Sequence, residues 1–353
     1  VLAKVQKMVL PKMERHGPIE AWIIDDTGFP KKGKHSVGVA RQYCGQLGKQ
    51  DNGQVAVTLS LANDRASLPV AYRLYLPEAW AGDPERRATA GIPPDIAFQT
   101  KPRIALDQIR AACAAGLPRG IVLADAAYGN DTDFRTGLTA LGLSYAVAIQ
   151  ASTTVWAPGT RPLPPKPWSG KGRRPTRLRR DDDHQPVPVK DLALSLPASR
   201  WRSVTWRAGT NTPLRSRFAS VRVPAAHRDD ERAELRPEEW LLIEWPDSEA
   251  EPTQYWLLPA DTALPDLVAA AKGRWRIERD YEELKQEIGL NHYEGRGWRG
   301  FHHHATLCIA AYGFLIAERC LFPPRKRLVR RQGQAPALPA TFRPRGAGAA
   351  GTP

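Results

Sequence analysis

Two short apolar runs, each ending on a carboxylate, constrain this chain most. Ile19-Glu20-Ala21-Trp22-Ile23-Ile24 leads into Asp25-Asp26-Thr27, and Gly120-Ile121-Val122-Leu123-Ala124 leads into Asp125-Ala126-Ala127-Tyr128-Gly129. Apolar runs of this length bounded by turn signals read as buried strands, so each delivers an acid to its end. A carboxylate is costly to bury unless it is paired or bound to metal. Acids at the ends of two apolar strands therefore invite one shared cation. The simpler alternative is that each caps the helix that follows it. Asp25 and Asp26 are both candidates, but strand alternation puts them on opposite faces, so one of the two points into a given site.

A third carboxylate lies in Arg274-Trp275-Arg276-Ile277-Glu278, followed by Lys285. At about 100° per residue, Arg274, Glu278 and Lys285 fall within roughly 40° of one another on one helix face. One acid flanked by two bases suits a site that holds a metal with the first and a polyanion with the others. A solvated surface pair four residues apart gives the same pattern.

The order strand–Asp, strand–Asp, helix–Glu resembles the DDE transposases of bacterial insertion sequences, whose catalytic fold is RNase H-like. The third segment resembles the branch marked by a Tyr-x2-Arg-x3-Glu-x6-Lys signature. Arg274, Glu278 and Lys285 fit that spacing, while Ala271 stands at the Tyr position. The runs from Asp25 to Gly33 and Gly300-Phe301-His302-His303-His304 are also similar to this group, and the resemblance covers roughly residues 5–322. It implies an RNase H-like mixed α/β sheet flanked by helices, with a β-rich insertion before the last catalytic helix. It implies Asp25, Asp125 and Glu278 as catalytic ligands of two Mg2+, with Mn2+ able to substitute. Asp25 would bridge, and its Asp-x-Thr spacing favours it over Asp26. Arg274 and Lys285 would hold the DNA backbone, with Lys31, Lys32, Arg173 and Arg174 as further DNA-binding candidates. The activity implied is phosphodiester cleavage and strand transfer at the ends of an insertion element by a cut-and-paste route. Transposon ends and target DNA are the expected partners, with a homodimer in the DNA complex and the bacterial cytoplasm and nucleoid as the place of action.

Composition fits these expectations. The chain has 353 residues, 42% of them hydrophobic, enough for a large core. Its formal charge of +14 asks for an acidic partner. Cys44, Cys113, Cys308 and Cys320 form no CxxC pair, which argues against a disulfide framework or a zinc ribbon. No apolar run approaches the ~18 residues of a membrane span, and no signal peptide is visible. The chain opens on Val1; the upstream segment that the resemblance implies for recognising terminal repeats is expected to be short or absent, as in a truncated copy.

Periodicity divides the chain at about residue 151. Residues 1–150 form the first part of the core, with helices near 1–16, 102–116 and 131–141 and strands at 54–61, 68–76 and 145–149. Asp51-Asn52-Gly53 is a turn signal. Residues 151–255 begin with a Pro-, Gly- and Arg-rich stretch and continue as short β-like runs. Seven of the 11 Trp lie between residues 156 and 256. These Trp either fill the core of a small sheet or stack on unpaired bases. This insertion is expected as a lobe outside the central sheet, spanning about residues 155–250. Residues 256–322 return to the core, with the Glu278 helix running from about 264 to 289 and burying Ile277, Tyr281, Leu284 and Ile288. A second helix covers 301–321. The tail, 323–353, is expected to be a disordered basic segment. Three consecutive histidines cannot all ligate one ion from a regular helix, and Asp181-Asp182-Asp183 reads as a solvated charge run. The competing function is a catalytically inactive DNA-binding protein, or a truncated remnant, descended from a transposase. A glycosidase using paired acids is disfavoured by the basic flanks.

Overall fold

The computed structural model describes residues 1–207, 213–259 and 264–322, without the side chains of Gln46, Arg207, Asp230, Leu264, Pro265, Trp275, Arg276 and Glu278. The expected tail at 323–353 lies outside the described residues. In chain order, α1 (Leu2–Glu14) precedes β1 (Ala21–Pro30), β2 (Ala40–Cys44), β3 (Lys49–Ala62) and β4 (Ser67–Leu74). Two short helices, α2 (Glu78–Ala81) and α3 (Pro84–Ala90), lead to α4 (Lys101–Ala114). Then come β5 (Ile121–Ala124), α5 (Ala126–Gly129), α6 (Thr132–Ala140) and β6 (Tyr145–Ile149). A small pair, β7 (Thr154–Val155) and β8 (Val187–Pro188), is followed by α7 (Val189–Ser195). The strands β9 (Arg202–Arg207), β10 (Leu214–Pro224), β11 (Glu238–Trp245) and β12 (Gln254–Leu258) come next. The described chain closes with α8 (Leu264–Ala271), α9 (Arg276–Gln286) and α10 (Trp298–Leu321).

The fold is mixed α/β, built on one ten-stranded sheet flanked by helices. Its order is β2-β3-β1-β5-β6-β12-β11-β10-β9, with β4 also paired to β3. β1 runs antiparallel to β3 and parallel to β5, and β5 runs parallel to β6. Every other pairing in the sheet is antiparallel. Strands covered on both faces carry continuous apolar runs rather than alternating ones. Trp22, Ile23 and Ile24 of β1 and Val122 of β5 are accordingly fully buried.

Three expectations are corrected. Residues 151–255 are β-rich, but β9–β12 do not form a lobe outside the sheet. β12 pairs with β6 in the register Tyr255↔Ile149 to Leu257↔Val147, so these strands continue the central sheet. The exposed edge of β6 is satisfied this way, and unpaired backbone groups need such a partner. Asp51-Asn52-Gly53 does not turn; it lies inside β3 and pairs with β2. The chain reverses earlier, where Gly48 adopts φ 63° after the single 3-10 turn Gly45–Leu47. Gly53 is needed for a close approach instead, since a Cβ there would come within 2.8 Å of the Phe29 carbonyl of β1. Third, the Glu278 helix is not continuous from 264 to 289. A 3-10 turn at Lys272–Trp275 separates α8 from α9. Gly273, a weak helix former, sits in that turn.

The expected apolar stripe of this segment is otherwise present. Ile277, Tyr281 and Leu284 are buried and Ile288 is partly so. α10 is long and apolar enough to cross a membrane by length and composition alone. In this fold it packs against α1 and β4, burying Ala305, Ile309, Tyr312 and Ile316. His302 faces inward, its Nε2 accepting from the Leu74 amide at 3.2 Å. All four cysteines are free.

Candidate active site

The site begins with a register. β1 and β5 pair in parallel as Ala21↔Ile121, Trp22↔Val122 and Ile23↔Leu123. Asp25 and Asp125 each lie two residues beyond the last of these pairs, so the constant offset brings them level at the same end of neighbouring strands. The two apolar runs thus bring together acids one hundred positions apart.

Asp25 Oδ1 accepts from the Asp26 amide at 2.9 Å. Its Oδ2 lies 3.1 Å from Arg274 Nη1, an ion pair that lacks hydrogen-bond alignment at that nitrogen. Burial pushes the Asp25 carboxyl up to about 6; Arg274 opposes this, and the Asp125 charge adds to it. Asp125 caps α5 through a 3.0 Å bond from the Ala127 amide to its Oδ1. Capping and site formation are therefore compatible at this residue. Burial raises the Asp125 carboxyl as well, against the pull of Arg274 and with the Asp26 charge adding. Two desolvated acids, Asp25 raised further by the Asp125 charge and Asp125 by the Asp26 charge, lie beside one guanidinium and form a locus that favours an added positive charge.

Asp26 is engaged differently. Its Oδ1 accepts from the buried Tyr128 hydroxyl, and its Oδ2 lies 2.5 Å from Lys101 Nζ. Both oxygens are thus taken by partners from α4 and α5. The one-residue step along β1 gives the two acids different partners, although the Asp26 charge still acts on Asp125. Lys101 and Tyr128 escaped the sequence reading. Tyr128 follows Asp125 by three residues on a helical turn, which was the available hint; Lys101 left none.

The third segment is anchored by consecutive residues. A Cβ on Gly273 would stand 3.0 Å from Leu123 Cδ1 of β5, so the turn runs close against the strand that leads to Asp125. Arg274 then reaches Asp25. Glu278 lies in α9, two turns before its end, and its side chain is outside the described part. Among the described residues no group of three or more His, Cys, Asp or Glu gathers as a metal cluster. Lys285 packs along β1, its Nζ donating to the Gly28 carbonyl at 2.9 Å and lying 5.3 Å from the Phe29 ring centre. Burial lowers its ammonium pKa, while Cys44 and Asp25 oppose that. The Tyr position of the signature, Ala271, is buried. Lys31 bonds the Tyr293 carbonyl at 2.5 Å, whereas Lys32, Arg173 and Arg174 are exposed, the first just beyond β1 and the other two far from the acids in sequence.

With this arrangement in view, the comparisons with known proteins are decisive for the family. Residues 1–213 match the DDE superfamily endonucleases. The chain belongs to the DDE superfamily endonuclease family. The matched stretch contains Asp25, Asp26 and Asp125 and stops before Glu278. Members of this family generally use divalent metal ions. The chain is also similar to a probable transposase for insertion sequence element IS701 from Microchaete diplosiphon, with 38% identity over 131 residues. That stretch is 37% of this chain and 32% of the relative, so the chain spans about a third of the relative it matches. A superposition on the NurA nuclease from Sulfolobus solfataricus covers 92% of this chain and 93% of that one, at 7% identity and a TM-score of 0.29. A similarity that low bears on neither fold nor activity.

Proposed function

We propose that this DDE superfamily endonuclease is the DNA transposase of an insertion element. It would cleave phosphodiesters at the element ends and transfer the strands to target DNA by a cut-and-paste route. The observation that carries the reading is the level placement of Asp25 and Asp125 beside Arg274, at the same end of two strands paired in parallel. Both acids hold their protons more tightly than usual because they are buried near like charge, and a divalent cation would relieve that cost. Their hard carboxylate oxygens fit Mg2+ or Mn2+. Asp25, Asp125 and Glu278 would be the ligands, for a pair of ions. When bound, such ions polarise the phosphoryl group and stabilise attacking and leaving oxygens.

The chain's own residues supply the rest. Arg274 borders the acids and would orient a backbone phosphate. Lys285 would neutralise a neighbouring one while tying α9 to β1. Lys32, Arg173 and Arg174 would add exposed positive charge along the DNA, in keeping with the net charge of +14. Two copies would assemble on paired element ends. One observation favours the competing reading, a catalytically inactive DNA-binding derivative: Arg274 already neutralises Asp25 within the chain.

Asp125→Asn and Lys285→Ala separate these readings. The substrate is a supercoiled plasmid carrying the genomic DNA that flanks the coding region on both sides. Asp125→Asn keeps its size but loses a negative ligand, so it should bind this DNA as the parent does and fail to nick it in Mg2+. Lys285→Ala should bind more weakly, with a salt dependence flattened by about one phosphate contact. Full nicking by Asp125→Asn, or none by the parent, would overturn the catalytic reading. An unchanged salt slope in Lys285→Ala would remove the proposed phosphate contact.

A further inference from the structure

Three consecutive residues of the 3-10 turn between α8 and α9 contact three different parts of the sheet. Arg274 reaches Asp25 on β1, and Gly273 lies against Leu123 of β5. Lys272 points the other way, toward the outer half of the sheet. Its Nζ lies 2.5 Å from Glu244 Oε2 of β11. The same ammonium lies 4.4 Å from the ring centre of Trp206 on β9 and 5.4 Å from that of Trp256 on β12. Glu244 is only 3% exposed, on a β11 face it shares with Leu242. Trp256 pairs directly with Leu242, so acid, indole and ammonium form one contiguous contact.

A buried ion pair is a poor stabilising device. Replacing both partners with apolar residues of similar volume is often neutral or stabilising, whereas removing one strands the other. What the pair does supply is direction: a single ammonium inside an otherwise apolar wall has one seat. We propose that Lys272 and Glu244 are positioning residues that fix the start of α9, and through it Arg274 and Glu278, against the strand ends bearing Asp25 and Asp125. The outer strands β9–β12 thereby act as a buttress for the site rather than as an appendage to it. This inference rests on the proposed function for what is positioned, but not for the clamp itself.

The test uses the whole 353-residue chain and separates stability from placement. In the double variant Glu244→Leu/Lys272→Met the ion pair is gone without a stranded charge. Its melting temperature should equal or exceed the parent's. Amide exchange over residues 272–277 should be at least tenfold faster than in the parent, with β5 and β11 unchanged. Mn2+ affinity, read by electron paramagnetic resonance titration without DNA, should fall at least tenfold. Lys272→Arg keeps the charge and the stacking and should stay within twofold of the parent on both readouts. Should the double variant not fold, Glu244→Gln serves with the same expected directions of exchange and Mn2+ affinity. Parent-like exchange and Mn2+ affinity in the double variant would overturn the inference, as would an equal loss in Lys272→Arg. If the parent itself binds no Mn2+, or Asp125→Asn binds it equally well, the proposed metal site fails. The exchange result alone then decides the clamp: faster exchange confined to 272–277 supports it, and parent-like exchange overturns it.

Discussion

Asp25→Asn should make the metal-free protein more stable at pH 8 while destroying its response to Mg2+. Burial lifts the Asp25 carboxyl to about 6 from its ordinary 3.8, with Arg274 opposing and Asp125 adding. A raised acid holds its proton more tightly in the folded chain than in the unfolded one. Its contribution is therefore fully favourable below about pH 4 and is lost as the pH climbs through about 6. At about 1.4 kcal/mol for each tenfold gap between the folded and unfolded acid constants, the ionised group costs about 3 kcal/mol at pH 8. Because 17% of the Asp25 side chain stays exposed, that figure is an upper bound. Asn resembles the protonated acid and escapes the cost. Unfolding entropy of about 2.1 cal/mol/K per residue gives about 0.7 kcal/mol/K for a chain of 353 residues. The melting temperature should therefore rise by up to about 4 °C at pH 8, and the difference should vanish near pH 4. Calorimetric melts in EDTA across this range check it. Asp280, raised to about 7 by burial, titrates nearby but is common to both proteins and cancels in the difference. Adding Mg2+ should raise the parent's melting temperature and leave that of Asp25→Asn in place. A variant less stable than the parent at pH 8, or one equally stabilised at pH 4 and pH 8, would refute the electrostatic argument.

Asp26→Asn should act with the opposite sign, lowering the melting temperature at neutral pH because Lys101 loses its ion pair, while the Mg2+ response survives. Tyr128→Phe leaves Asp26 Oδ1 short of a donor and should cost about 1–3 kcal/mol, again with the Mg2+ response intact; loss of that response in either variant would move Asp26 into the metal site. Gly129→Ala should sharply reduce soluble yield and melting temperature, since the added methyl would collide with the Ala148 carbonyl of β6; parent-like melting would deny the close approach of α5 to that strand.

Much of the inner fold was legible because its signals are local. The runs ending at Asp25 and Asp125 are continuous and apolar because helices and neighbouring strands cover them on all sides. The spacing of Ala105, Leu106, Ile109, Ala112 and Cys113 marks α4, and the first four are buried. What escaped depended on partners distant in sequence. Residues 255–258 read correctly as a strand, but not as a neighbour of β6. Tyr255-Trp256-Leu257-Leu258 is a continuous apolar run, the signature of a strand buried on both faces, and that was the available signal against a separate lobe. At Asp51-Asn52-Gly53 the turn chemistry was genuine but was overruled by pairing with β2 and by the contact with Phe29. Gly273 could be seen to weaken a helix, but not to lie against Leu123. Glu244 read as one more charge among strands, because nothing local revealed that Lys272 would meet it.

The adjacent acids of β1 show how one step along a strand can divide structure from chemistry. Asp26 spends both oxygens on Lys101 and Tyr128, partners that brace β1 against α4 and α5. A cation arriving there would have to displace an ammonium and a buried hydroxyl. Asp25 spends one oxygen on a neighbouring amide and the other on Arg274, whose side chain is 31% exposed. A cation arriving at Asp25 has to displace a single guanidinium, and a phosphate arriving with it offers that guanidinium an equivalent partner. Exchange at Asp25 therefore breaks one ion pair, whereas at Asp26 it breaks an ion pair and a hydrogen bond to a buried hydroxyl. The Tyr128 bond also ties the turn that carries Asp125 to the strand that carries Asp25. The acid excluded from the proposed site thus helps to hold its two strands in register.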